Sequence, residues 1–320
     1  MDRLILLDAN AIIHRSFHAL PPLTSKRGEL VNAVYGFISV FIKVIRELKP
    51  NYLAACFDLA VPTFRHKQYE EYKAKRLKAP QELYDQIPLV QEFLKAFNIP
   101  IFSRPGYEAD DLIGTLAYKA VRQNPHLEVI IATGDLDTLQ LISDKIQVWF
   151  LRQGLKESVL QNEETVFERF RLKPEQMADF KGLKGDPSDN IPGVPGIGEK
   201  TAINLLNDFQ NLEGLYEALE SQPQPALLNK YSERIKNLLQ EYKDQAFFSK
   251  YLASIQVNID LDFQLSDLKF SPPDGEKLKP VFDRFGFRSL YQRLKDLNNK
   301  KEQKTNLKDK SSSLNSLPFN

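Results

Sequence analysis

The sequence predicts an α/β fold: a parallel sheet covered by helices, followed by a mostly helical region. Three observations carry this. Short, continuous apolar runs at residues 4–7, 52–57 and 129–132 have the character of strands buried on both faces, and amphipathic helical stretches separate them. Each of these runs ends in an acid: Asp8, Asp58, and the pair Asp135 and Asp137. Beyond about residue 160 the apolar spacing turns helical.

The elements follow in order. Strand 4–7 ends in Asp8, and a helix and a polar turn at 24–29 come next. A long helix over 32–48 is stopped by Pro50. The second strand, 52–57, ends in Asp58. Residues 64–78 then carry Arg65, Lys67, Lys73, Lys75, Arg76 and Lys78, interleaved with Phe64, Tyr69 and Tyr72 and opposed only by Glu70 and Glu71. A helix over 81–97 leads to a third strand, 99–103, and to the turn Gly106-Tyr107-Glu108-Ala109-Asp110-Asp111. Leu112, Ile113, Leu116, Ala117, Ala120 and Val121 then stand at helical spacing, so the acids open a helix. An acidic first turn also complements a helix dipole, which is the plain structural account of that turn.

The fourth strand, 129–132, runs into Gly134-Asp135-Leu136-Asp137, and 146–151 reads as a fifth. Residues 184–190 supply Asp186 and Asp189 and lead into a glycine-rich stretch, 191–202. Helices are expected to about residue 261. A compact apolar segment over 275–297 contains Phe282, Phe285, Phe287, Leu290, Tyr291 and Leu294. From 298 the chain is rich in Lys, Asn and Ser, the composition of a disordered tail.

Composition bounds the function. Hydrophobic residues make up 42% of 320, enough for a sizeable core, and the net charge of +1 requires any polyanion site to be locally segregated. Cys56 is the single cysteine, which excludes a disulfide framework and fits a reducing compartment. No apolar stretch approaches the roughly 18 residues that span a bilayer. The N-terminus enters a strand without a leader pattern, so a cytoplasmic location without membrane association is expected.

In parallel sheets the ligand site lies beyond the carboxyl ends of the strands. Asp8, Asp58, Glu108, Asp110, Asp111, Asp135 and Asp137 all fall there, and Asp186 and Asp189 bring the candidates to nine. Clustered carboxylates repel one another, and a shared multivalent cation resolves the conflict. Oxygen ligands without cysteines select Mg²⁺ or Mn²⁺, and the surplus of acids suggests two ions. Two such ions about 3.5–4 Å apart clamp the attacking and leaving oxygens of an in-line phosphoryl displacement, with no need for a nucleophilic side chain.

Other motifs are weaker. His14 and His18 have zinc-like spacing but no third ligand nearby, so packing or a phosphate contact is the better reading. Residues 193–201 miss a Walker A loop by one position, because Glu199 follows Gly198 and displaces Lys200. A glycine turn between two helices, with backbone N–H groups offered to a phosphate, fits better; a plain structural turn is the alternative. Asp135-Leu136-Asp137-Thr138 places its threonine one residue early for the phosphatase pattern. The basic run 64–78 is either a solvated face or a contact for single-stranded nucleic acid, and its interleaved aromatics favour the second.

Together these stretches resemble a known family. They are Leu6-Leu7-Asp8, Ala33-Val34-Tyr35-Gly36, Phe57-Asp58, Thr63-Phe64-Arg65, Tyr72-Lys73, Gly106 to Asp111, Thr133-Gly134-Asp135, Gly185-Asp186, Asn190 to Val194, and Gly196 to Ala202. The order and spacing are similar to the 5′ nuclease domains of bacterial DNA polymerase I, which belong with bacteriophage 5′ nucleases and flap endonucleases. The resemblance implies a PIN-like nuclease domain over 1–175 with a helical arch near 62–85. It implies a helical DNA-binding region over 176–297, with a helix–three-turn–helix hairpin near 185–208, and leaves 298–320 as a polar tail.

It further implies a metal-dependent 5′-3′ exonuclease and flap endonuclease, a DNA hydrolase of primer removal and repair. Asp8, Asp58, Glu108, Asp110 and Asp111 match the first metal cluster, and Asp135, Asp137, Asp186 and Asp189 the second. Tyr72, Lys73 and Arg76 match the catalytic arch, with Lys73 at the scissile phosphate. Arg65, Gly193, Gly196, Gly198, Lys200 and Thr201 are the expected DNA contacts. The implied partners are DNA with a 5′ flap or 5′ end, RNA primer–DNA hybrids, and a DNA polymerase acting in trans; the nuclease itself is expected to be a monomer. Ala9, Leu59-Ala60 and Leu136 depart from the family pattern without removing an acid. A PIN-type ribonuclease and a non-catalytic DNA-binding scaffold are the rivals; loss of a cluster acid would mark the scaffold, and none is lost.

Overall fold

The computed structural model describes residues 1–296 apart from 153, 156 and 272–274. The expected polar tail, 298–320, lies outside the described residues. The sheet has six strands: β1 (Arg3–Asp8), β2 (Tyr52–Cys56), β3 (Ile101–Phe102), β4 (Glu128–Thr133), β5 (Ile146–Leu151) and β6 (Ser158–Gln161). Their order is β3-β2-β1-β4-β5-β6, so the winding reverses between β1 and β4. Five strands run parallel, and β6 pairs antiparallel with β5.

Helices α1 (Ala9–Ala19), α2 (Asn32–Leu48), α3 (Phe64–Gln68), α4 (Gln81–Tyr84), α5 (Ile87–Ala96), α6 (Ala109–Gln123) and α7 (Glu163–Phe170) belong to this part of the chain. Alternate residues of the central strands enter different cores, as strand geometry requires. Ile5, Leu7, Leu53 and Ala55 pack with α2 and α5, while Leu4, Leu6, Ala54 and Cys56 pack with α6. Gly36 lets α2 lie close to α1, since a Cβ there would stand 2.6 Å from Ser16 Oγ.

A separate core holds the helical body, α8 (Met177–Lys184), α9 (Glu199–Phe209), α10 (Leu212–Glu220), α11 (Glu233–Glu241) and α12 (Lys243–Ala253), through Leu183, Leu205, Leu206, Leu215 and Leu239.

Four expectations need correction. The helix expected over 81–97 is two, α4 and α5, because Pro88 starts a new helix and Gln86 turns inward to accept the Ala33 N–H at 2.8 Å. The third strand is only two residues long. A sixth strand, β6, pairs antiparallel with β5 where the sequence predicts none. The run of helices expected to about 261 stops at Ala253, and the chain then runs back along α6: Lys119 Nζ donates to the Leu261 carbonyl at 2.9 Å and Thr115 Oγ1 to that of Gln256 at 3.2 Å.

That return redraws the second region. In α13 (Gly275–Phe285), Leu278 and Phe282 pack into the α2/α5 core, and the Phe282 ring lies 6.1 Å from that of Phe93. The region expected over 176–297 therefore contributes a helical body only to Ala253; Leu278, Phe282, Phe285 and Phe287 pack into the core of the α/β unit. No helix among the described residues is long and apolar enough to cross a membrane.

Candidate metal centre and nucleic-acid interface

The reversal of strand order opens a crevice at the carboxyl ends of β1 and β4, and the acids gather there. Asp8 ends β1 and caps α1. Its Oδ1 accepts the Ala11 N–H at 3.0 Å and its Oδ2 accepts the Thr133 hydroxyl, at the end of β4, at 2.5 Å. Asp58 follows β2 and accepts the Ala109 N–H at 2.7 Å, tying that strand end to the start of α6. Glu108 caps α6, Asp110 lies in its first turn, and Asp135 follows β4.

Asp8, Asp58, Glu108, Asp110 and Asp135 line one cleft of about 530 Å³, and His14, Arg15, His18, Lys73 and Arg76 line it too. Burial, with Asp58 and Asp135 close by, pushes the Asp8 carboxyl up to about 7. Burial, then the charges of Asp135, Asp8, Asp137 and Asp58, holds Asp110 well above the usual carboxylate range. Among the described residues, no Lys or Arg forms an ion pair with Asp8, Asp58, Asp110 or Asp135. Crowded, unneutralised oxygen donors of this kind fit a hard divalent cation.

A second group stands beside it. One oxygen each from Asp137, Asp186 and Asp189 falls within 4.8 Å of the others. These acids are already engaged. Lys181 pairs with Asp137 and lies 2.6 Å from Asp186, while Arg76 pairs with Asp189. Burial raises Asp137 to about 6 against the pull of Lys181. Burial would also raise Asp186, but Lys181 and two hydrogen bonds from Ser188 bring it down to about 2. Asp135, expected with this second group, lines the first cleft and links the two, its Oδ1 accepting the Asp137 N–H at 2.9 Å.

The basic run reaches these clusters from the side. Lys73 Nζ donates to Glu108 Oε1 at 2.8 Å and lies 3.9 Å from Asp189. The Tyr72 hydroxyl donates at 3.2 Å to both Glu108 and Asp189. Lys73 takes a positive φ of 58°, unusual for a side chain of its length, and its N–H donates to the Asp189 carbonyl at 2.9 Å. The expected arch near 62–85 is helical only over α3 and α4, with turns between them where the chain folds down onto Asp189.

Two expected roles are corrected here. Arg65, expected on DNA, is 3% exposed and lays its guanidinium on both oxygens of Asp111. Asp111, expected on a metal, is 0% exposed and also accepts the N–H groups of Glu108 and Gln256. Every lone-pair direction of Asp111 is used, and neither residue faces the cleft.

The hairpin divides likewise. Gly185 and Gly193 meet backbone to backbone, with φ of 80° and 63°, and a Cβ on Gly193 would overlap the backbone of Gly185. The Gly193 N–H donates to Ser249 Oγ at 3.0 Å inside the body, so this expected DNA contact cannot offer it outward. Gly196, Gly198 and Lys200 are exposed and Thr201 half-buried at the start of α9, where the first N–H groups of a helix have no intrahelical partner.

Sequence reasoning passed over Thr133, Arg15 and Lys181. Thr133 stands in a motif already quoted, and its hydroxyl orients Asp8. Arg15 donates to the carbonyls of Gly134 and Arg152 and holds the cleft wall. Lys181 carried no readable signal, because its partners lie 44 and five residues away across two loops.

Crowded carboxylates gathered where a parallel sheet reverses its winding fit the metal centre of a hydrolytic enzyme. Two family models match in tandem: the 5′-3′ exonuclease N-terminal resolvase-like domain over residues 3–171 and the 5′-3′ exonuclease C-terminal SAM fold over residues 172–276. The chain belongs to the 5′-3′ exonuclease family, a family of hydrolytic nucleases.

It is 40% identical over 307 residues to DNA polymerase I of Bacillus subtilis (strain 168), covering 96% of this chain and 34% of that protein. With DNA polymerase I of Caldicellulosiruptor bescii it is 40% identical over 294 residues, covering 91% of this chain and 33% of that one. The chain thus spans about a third of the length of these curated relatives. Its fold is similar to that of the T5 5′-exonuclease with zinc ions bound, with a TM-score of 0.63, 18% identity and coverage of 93% and 98% of the two chains. The catalytic core of Rad2 in complex with DNA substrate gives 0.61, 19%, and 92% of each chain.

Proposed function

We propose that this chain is a Mg²⁺-dependent 5′-3′ exonuclease and flap endonuclease that hydrolyses DNA phosphodiester bonds in primer removal and repair. The observation that carries the reading is the cleft in which Asp8, Asp58, Asp110 and Asp135 converge with no ion pair to Lys or Arg among the described residues. These four and Glu108 would hold one ion, and Asp137, Asp186 and Asp189, with Asp135 between, a second. When bound, such ions supply Lewis-acid stabilisation of the attacking and leaving oxygens of a phosphodiester, and Mn²⁺ can replace Mg²⁺.

The chain's own groups do the rest. Lys73, between Glu108 and Asp189, places a positive charge where a phosphate oxygen must come to lie between the two clusters. Arg76, His14 and His18 line the same opening and attract the single strand. The N-terminus of α9, with Gly196, Gly198, Lys200 and Thr201, holds the duplex backbone without reading bases. The hairpin and the cleft thus engage opposite sides of a single-strand/duplex junction.

The organisation we propose is a nuclease unit over about 1–171, a helical body to Ala253, and a return segment that completes the first unit. The chain works as a monomer in the cytosol beside a DNA polymerase. Cleavage mapping on a labelled 5′-flap duplex, with Mg²⁺, Mn²⁺, Ca²⁺ or chelator, tests this. Cuts near the junction are expected with Mg²⁺ or Mn²⁺ and only weakly with Ca²⁺, whose looser geometry suits the chemistry poorly. Full cleavage in chelator would remove the reading. Cleavage of RNA flaps in preference to DNA would favour a ribonuclease.

A further inference from the structure

We propose that Lys181 is a built-in counter-ion of the second carboxylate group, and that a divalent cation must displace it to bind there. This rests on the metal-dependent reading of the site and adds how the two ions load. The two groups differ in one respect. Four acids of the cleft, Asp8, Asp58, Asp110 and Asp135, form no ion pair with Lys or Arg among the described residues; the fifth, Glu108, pairs with Lys73 at 2.8 Å and Arg65 at 3.4 Å. In the second group the Lys181 ammonium pairs with Asp137 and stands 2.6 Å from Asp186. Those two carboxylates belong to the trio that offers one oxygen each within 4.8 Å of the others. An ammonium held by them fills the place of a cation.

Lys181 reaches this position from the last turn of α8, with its side chain only 14% exposed. Its four-carbon stem is flexible, so Nζ can leave while the stem stays packed. The departing charge needs a new partner, and a phosphodiester in the adjacent cleft offers one. Displacement therefore couples the second ion to substrate: each favours the other's binding. Among the described residues the first ion meets an ammonium only at Glu108, through Lys73, and has four further carboxylates to bind.

The test needs no catalysis. Ca²⁺ is titrated calorimetrically into the intact chain without DNA. Wild type should take one ion tightly and a second at least about tenfold more weakly, because a positive charge faces the second site. Lys181→Met should leave the first affinity unchanged and tighten the second about tenfold, while Lys181→Arg should keep it weak. Should Lys181→Met fail to fold, wild type alone decides: a 5′-flap duplex should tighten the second Ca²⁺ site about tenfold.

Equal affinities in wild type, or a second site that Lys181→Met leaves unchanged or weakens, would overturn the proposal. Unequal loading removed by Lys181→Met, with no flap cleavage in Mg²⁺, would retire the nuclease reading and leave this one standing. Normal cleavage with equal loading would do the reverse.

Discussion

Arg65 sets Nη1 and Nη2 against the two oxygens of Asp111, each at 2.8 Å, in the interior behind the cleft. The same guanidinium donates to the carbonyls of Leu252 at 2.8 Å and Ser254 at 2.7 Å. Asp111 in turn accepts the N–H groups of Glu108 at 3.0 Å and Gln256 at 2.9 Å. One buried pair therefore joins α3, the start of α6 and the chain leaving α12, and it fixes the turn that presents Glu108 and Asp110.

Breaking that pair should cost stability rather than DNA affinity alone. Arg65→Ala leaves Asp111 buried without its counter-charge, and such a loss costs about 3–5 kcal/mol. Asp111→Ala should cost a similar amount, and the double variant should cost less than the two together. Urea unfolding of the three variants checks this. Wild-type stability for Arg65→Ala would place the guanidinium outside the interior.

Removing cleft carboxylates should separate chemistry from binding. Asp110→Ala and Asp135→Ala each remove a cation ligand and a negative charge facing a polyanion. Single-turnover flap cleavage should fall by orders of magnitude, while flap affinity in chelator should hold or tighten. Lys73→Ala should slow the cleavage step more than it weakens binding. Near-normal cleavage by Asp110→Ala would end the two-ion mechanism.

Protons and cations compete for the same oxygens. The Asp8 carboxyl has an ordinary value of 3.8 and, buried without an ion, about 7. Between those values the folded state holds more protons than the unfolded chain, so ion-free stability falls as pH rises through the window. Asp137, raised to about 6, acts in the same direction. Asp186, lowered to about 2, loses its contribution only at lower pH. The unfolding temperature in chelator should therefore be higher at pH 5.5 than at pH 8, and the rise produced by Mg²⁺ should grow over the same interval. A Mg²⁺ shift independent of pH would contradict the crowded, unneutralised cleft.

The hairpin glycines should fail in different ways. Gly193→Ala forces a Cβ into the backbone of Gly185 at φ of 63°, and should lower stability by several kcal/mol, read by thermal unfolding. A Cβ on Gly198 meets nothing within 4 Å, at an ordinary φ of −92°, so Gly198→Val should fold normally and weaken duplex binding about equally across sequences. Lys200→Ala should reduce the salt dependence of that binding, with a slope smaller by about one. A changed sequence preference in any of these would make the hairpin a base reader.

Much of the site was legible because its determinants are local. A strand buried on both faces announces itself as an apolar run, and the residue that ends it is the residue at the crevice. Asp8, Asp58 and Asp135 could be placed at one end of a parallel sheet on that ground, and Glu108 and Asp110 at the opening of a helix. The basic run showed its charge and its aromatics, but not where it lands. The fold of Tyr72 and Lys73 onto Asp189 spans more than a hundred residues.

The α/β class, the sheet ends that carry acid and the glycine turn before α9 can all be read from the chain alone. Periodicity, strand-end position and donor chemistry are properties of short stretches, so they survive without coordinates. Which polar groups are used up inside the protein emerges only once the chain is folded. Arg65 and Asp111 neutralise each other, Gly193 gives its N–H to Ser249, and Lys181 sits among acids from two loops. Folding also returns the aromatics of α13 to the α/β core. Burial and pairing depend on what the rest of the chain brings alongside a residue, and two carboxylates one position apart, Asp110 and Asp111, can face a cleft and an arginine respectively.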